Sequence, residues 1–144
     1  MLSVRRTYDA PMPSPEEFSR WLEGYRQAMV DLDAEAAGEL FSAEAVYVES
    51  PFAEPIHGRS DIVKYWRMVA EVMRDVEFRS EVLATTDDVG VARVNDALTR
   101  VASGRRSRYD GIFYARFDNE LRCAEFREWW VELPPASGSA TAQG

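Results

Sequence analysis

The feature that most constrains this chain is a change of hydrophobic period near Val76. Before it, apolar residues recur at spacings of three and four. Phe18, Trp21, Leu22, Tyr25, Met29 and Leu32 form one such stripe, and Ile62, Val63, Trp66, Val69, Ala70 and Met73 form another. After it the period is two. Val76, Phe78, Val82 and Ala84 share one face, with Glu77, Arg79 and Glu81 on the other. Helices first and strands after is an α+β order, with the helices covering one face of an antiparallel sheet.

Local signals place the boundaries. Ser14 caps the first helix, Pro15 suits its first position, and Glu17 completes a capping box. Asp33 caps a short second helix with Ala36, Ala37, Leu40 and Phe41 on its apolar side. Residues 45–49 form a strand stopped by Pro51, and Ser60 caps the third helix. Turns at Asp87–Gly90, at Gly104 and at Asp118–Glu120 then separate strands over 91–103, 107–117 and 121–133, an antiparallel meander. The 144 residues, 46% apolar, suit one domain with a real core. That domain spans 14–133, after a flexible arm over 1–13. The tail over 134–144, built of Pro, Ala, Ser, Gly and Thr with one Gln, is expected to be disordered.

Charge and cysteine usage exclude several classes. The net charge of −8 argues against nucleic-acid binding, which needs a basic stripe. The densest basic run, Gly104–Arg108, falls at a hairpin turn and reads as a solvated turn. The one cysteine, Cys123, allows no internal disulfide and no cysteine-cluster zinc site, and fits a cytoplasmic setting. His57 is the one histidine, so no multi-histidine metal site exists, and no cofactor motif appears. No run approaches the ~20 apolar residues of a membrane span, and the first residues lead into no signal-peptide core.

One stretch carries a family resemblance. Residues 40–51, LFSAEAVYVESP, followed by Glu54-Pro55-Ile56-His57-Gly58-Arg59, resemble the nuclear transport factor 2-like superfamily and, within it, its SnoaL-like members. The resemblance covers roughly residues 15–133. It implies a cone-shaped barrel, with three helices packed on a curved sheet around an internal pocket, and dimers through the outer sheet face. Fold does not decide function within such a group.

Comparison with two enzyme families of this superfamily supplies candidate residues. Against ketosteroid isomerase, Tyr25 matches the oxyanion tyrosine, while Ser50 and Phe113 stand where that family has its base and its second oxyanion acid. Limonene-type epoxide hydrolase fits more roles. Its first-strand positions fall on Tyr47 and Glu49. Its "Arg-Val-Asp" resembles Arg93-Val94-Asn95-Asp96 with one residue inserted, and its second acid falls on Glu128. Pointing both Arg93 and Asp96 inward would need a β-bulge. Counting back from Gly104 instead puts Asp96, Leu98 and Arg100 on one face, without Arg93. If Glu128 points inward, so do Phe126 and Trp130, while Cys123, Glu125, Arg127 and Trp129 face out.

The expected function is a pocket for a small apolar ligand, acting without a cofactor by hydration, cyclisation or isomerisation. Glu49, Asp96 and Glu128 would supply acid–base pairs, oriented by Arg93 and Tyr47. Asn95 and the aromatic walls Trp21, Tyr25, Phe113, Phe117, Phe126 and Trp130 would hold the substrate. The competing expectation is a non-catalytic ligand-binding or dimerisation module of the same fold.

Overall fold

The computed structural model describes residues 12–134. The expected arm and tail therefore lie, but for their innermost residues, outside the described part. Three helices and six strands follow in order: α1 (Pro15–Asp31), α2 (Ala34–Gly38), β1 (Phe41–Val48), β2 (Ile56–His57), α3 (Arg59–Ala70), β3 (Met73–Thr86), β4 (Val89–Arg100), β5 (Arg106–Phe117) and β6 (Cys123–Glu132). The strands form one curved sheet in the order β2-β1-β6-β5-β4-β3. It is open rather than a closed barrel. It is also mixed, because β1 runs parallel to β6 while every other pair is antiparallel.

The first helix forms as its sequence dictates. Glu17 N–H donates to Ser14 Oγ at 3.1 Å, and Ser14 N–H donates to Glu17 Oε1 at 2.8 Å, closing the capping box. Phe18, Trp21, Leu22, Tyr25 and Ala28 then face the sheet, all buried. The third helix starts differently from expectation. Gly58, with φ +90°, is its N-cap, and no side chain caps it, so Ser60 sits inside the first turn.

The 40–59 stretch has a structural explanation. Trp21 Nε1 donates to the Leu40 carbonyl at 3.0 Å, tying α1 to the start of β1. Ile56 and His57 pair with Tyr47 and Val46. Gly58 makes the positive-φ corner that Gly tolerates at low cost. Arg59 then turns back, and its Nε and Nη2 both donate to the Phe41 carbonyl, at 3.0 and 2.8 Å. Phe41 belongs to β1, not to the second helix.

The core is an aromatic cluster between α1 and the concave face of the sheet. Phe126 is fully buried and touches the rings of Trp21, Tyr25, Phe41, Tyr47 and Phe113. Burial of a ring of this size stabilises the fold by about 1.5–3 kcal/mol. Helix α1 also presses directly on the sheet. A Cβ on Gly90 would meet the Phe18 ring at 2.6 Å, so only glycine fits there.

Two register breaks move side chains across the sheet. Arg116 pairs with Glu125 but Phe117 pairs with Cys123, which leaves Ala124 as an extra residue on β6. Cys123 is therefore buried in the core, not outward as strict alternation requires. A second break between Val82 and Ala84 leaves Leu83 without a partner on β4 and turns Ala84 to the exposed side.

Candidate functional site

Toward the α3 end, helices and sheet separate and leave a cavity of about 320 Å³. Its lining is mostly apolar, including Met29, Leu32, Val69, Phe78, Leu98 and Phe113. Seven oxygen-bearing side chains break that lining: Tyr25, Tyr47, Glu49, Tyr65, Asp96, Tyr109 and Glu128. Strand geometry explains which residues arrive. On β4 the inward set is Val94, Asp96, Leu98 and Arg100. On β5 it is Tyr109, Gly111 and Phe113, and on β6 Glu128 and Trp130.

Of the residues expected to act, Tyr47, Glu49, Asp96 and Glu128 share the cavity. Tyr25, Phe113 and Trp130 join them as walls. Arg93 does not. Strand β4 pairs with β5 without interruption from Val89 to Thr99, so no bulge turns residue 93 inward. Its guanidinium lies on the other face, half exposed, with Nε and Nη2 donating to Asp110 at 3.1 and 2.9 Å. Asn95 is on that outer face too, donating to Asp110 Oδ1 at 2.9 Å. Trp21, Phe117 and Phe126 are core residues that do not line the cavity.

Around Glu128 burial governs the electrostatics, and the one cation of the lining, Arg100, is not among the groups that shift it. Glu128 is held well above the usual carboxylate range, first by burial and then by the charges of Asp96 and Glu49. Its partner is Tyr47, whose hydroxyl stands 3.4 Å from Oε2. Asp96, on β4 across the sheet's concave face, is pushed up to about 6 by burial. Burial raises the Tyr25 and Tyr47 hydroxyls well above their ordinary value, and Tyr65 to a lesser degree, so all three are neutral donors. The cavity thus holds two carboxyl groups with raised affinity for a proton, each pushed toward its neutral form first by burial.

Two lining residues stand out that stripe counting assigns elsewhere or leaves open. Trp66 was expected in the helical core, and its side chain is indeed buried. Its Nε1–H is nevertheless buried with no acceptor among the described residues. A buried, unsatisfied donor of this kind costs about 1–3 kcal/mol and is normally retained for a reason. Tyr65 also lines the cavity, its ring 5.6 Å from that of Tyr47. Neither position had a sequence signal beyond lying on an amphipathic helix.

The described residues contain no group of three or more histidine, cysteine, aspartate or glutamate side chains placed to hold a metal ion. No helix among them is long and apolar enough to cross a membrane.

Comparison with known proteins comes to one family. A family model described as a SnoaL-like domain matches residues 18–126, more than half of the chain. No curated protein matches in sequence. Among solved structures, a Bacillus subtilis protein provisionally described as an isomerase superposes with a TM-score of 0.72 at 18% identity, over 90% of this chain and 95% of its own. The epoxide hydrolase/cyclase-like enzyme SalBIII, described for pyran ring formation in the polyether salinomycin, gives 0.73 at 14% identity, over 83% and 95%. At such identities the likeness is one of fold.

Proposed function

The chain belongs to the SnoaL-like domain family, and from that premise we propose that it is an acid–base enzyme that opens, closes or isomerises an apolar, oxygen-bearing substrate. The observation that carries this reading is the pairing of two carboxyl groups in one cavity at different protonation states. Burial and neighbouring charge hold Glu128 neutral, while Asp96, near 6, is mostly ionised at pH 7. An ion network would instead need a cation paired with these acids, but Arg93 pairs with Asp110 on the outer face and Arg100, at the cavity's outer end, pairs with Glu132.

For a strained cyclic ether the steps balance without a cofactor. Glu128 gives its proton to the ether oxygen as that C–O bond breaks. Asp96 takes a proton from the attacking water or substrate hydroxyl as the new C–O bond forms. One proton then passes from Asp96 back to Glu128 through the cavity, restoring both. Tyr47 orients Glu128 through its hydroxyl, and the unpaired Trp66 N–H is a ready donor for a substrate oxygen. The same pair also suits proton transfer beside a carbonyl, with Asp96 removing the proton and Glu128 donating to the oxygen.

Turnover of a panel of apolar epoxides, hydroxy-epoxides and enolisable ketones tests the reading. We expect Glu128→Gln and Asp96→Asn each to lower kcat/KM by about 100-fold or more, with ligand binding retained. Binding without turnover of any of these classes would turn the reading to a non-catalytic pocket.

A further inference from the structure

The outer end of the same cavity is cationic. Arg100 lines it from β4. Its Nε donates to Ser107 Oγ at 3.2 Å, its Nη2 donates to the Tyr109 hydroxyl, and its guanidinium lies 6.0 Å from the Tyr109 ring centre. Its ion-pair partner is Glu132, at 3.8 Å, beyond hydrogen-bond reach. Arg105 approaches the other oxygen of that carboxylate at 3.4 Å. Two guanidiniums thus share one carboxylate, and neither makes a bidentate pairing with it. The corner keeps positive charge in a chain whose net charge is −8. Arg105 belongs to the basic turn between β4 and β5; it does not line the cavity, but through Glu132 it stands behind Arg100.

The spacing from this corner to the acid is fixed by β6. Glu132 stands four residues beyond Glu128 on the same face, about 13 Å along the strand. Trp130 lies between them and lines the cavity. Its indole Nε1 donates to the Glu49 carbonyl at 2.9 Å, and its ring packs edge-on against Tyr109, 5.4 Å between centres. Gly111 faces it on β5, where a Cβ would meet Trp129 O at 2.3 Å and Trp130 Cβ at 3.0 Å. An apolar floor therefore joins a proton donor at one end to a guanidinium at the other.

We propose that the substrate is an amphipathic organic acid: its carboxylate is held at the rim by Arg100, with Arg105 behind, its apolar body lies over Trp130 and Leu98, and its reacting oxygen reaches Glu128. The proposal rests on the cavity being a substrate site and names the class of molecule it takes. A guanidinium with free donor capacity gains a charge-assisted pair from such a ligand. A carboxylate entering the same cavity without that partner would lose its hydration uncompensated. A positive corner on an acidic protein also orients an anion head-out as it approaches.

The test compares two chains of equal length, decanoate and 1-decanol, by quenching of tryptophan emission at pH 7.5 and low salt. Wild type is expected to bind decanoate at least 10-fold more tightly than decanol, with the ratio shrinking as salt is raised. Arg100→Gln, shown folded by circular dichroism, is expected to bring the two affinities together by weakening decanoate alone. Equal affinities in wild type would overturn the proposal and leave the pocket reading intact, and this comparison needs no variant. A ratio that survives in Arg100→Gln would overturn the role of Arg100. Binding of neither chain would overturn this proposal and the pocket reading together.

Discussion

The Tyr47 hydroxyl lies 3.4 Å from Glu128 Oε2, across the one parallel strand pair in the sheet. In register, Tyr47 sits opposite Phe126 and Val48 opposite Arg127. That pairing brings a residue from the first third of the chain onto an acid from its end. Burial, then the charges of Asp96 and Glu49, raise that acid, and the long hydrogen bond from Tyr47, which favours its ionised form, offsets them only in part.

Stability follows from those raised acids. Asp96 moves from an ordinary 3.8 to about 6 in the folded chain. Between about pH 4 and 6 the folded state therefore holds more protons than the unfolded one, and stability falls as pH rises through that window. Glu128, raised by burial and by two neighbouring acids, carries the decline to higher pH. Thermal melts should show Tm dropping from pH 5 to pH 8. Asp96→Asn should flatten the lower part of the drop and Glu128→Gln the upper part. A Tm that rises over this range would contradict the assignment.

Arg93 is expected to be dispensable for chemistry. It pairs with Asp110 on the outer face, with both side chains about half exposed. Arg93→Ala should leave kcat/KM within about two-fold and Tm little changed, as for surface substitutions generally. A loss comparable to that of Asp96→Asn would place the guanidinium back in the mechanism.

Much of this arrangement was legible in the sequence, and the failures have physical causes. The capping box, the α1 stripe and the inward set Phe126, Glu128 and Trp130 follow from local periodicity, which short-range sterics enforce. Counting back from Gly104 put Asp96, Leu98 and Arg100 on one face, and the regular β4–β5 register keeps them there. Arg93 was misplaced because the resemblance invited a bulge that the strand does not contain. Cys123 and Ala84 were misplaced for the converse reason, since real bulges at Ala124 and Leu83 reverse the alternation. The parallel β1–β6 pair and the unpaired Trp66 N–H depend on contacts between distant segments, which no local pattern encodes.

The homodimer expected through the outer sheet face remains a proposal, supported by Trp129 and Val131, which are 44% and 69% exposed. A sheet face carrying such residues favours a covering partner. Sedimentation at micromolar concentration should give a dimer for the wild type and a monomer for Trp129→Glu. A monomeric wild type would contradict the assembly without touching the site.

The central claim is that a glutamic acid stays protonated at neutral pH inside this cavity. The most direct measurement is the side-chain carboxyl carbon shift of Glu128 in ¹³C-labelled protein, assigned by comparison with Glu128→Gln and followed from pH 4 to 9. The shift should hold at its protonated value through pH 7 and move only above it. A titration near the ordinary glutamate value, 4.5, would show an ionised carboxylate, and the proposed proton donor would be lost.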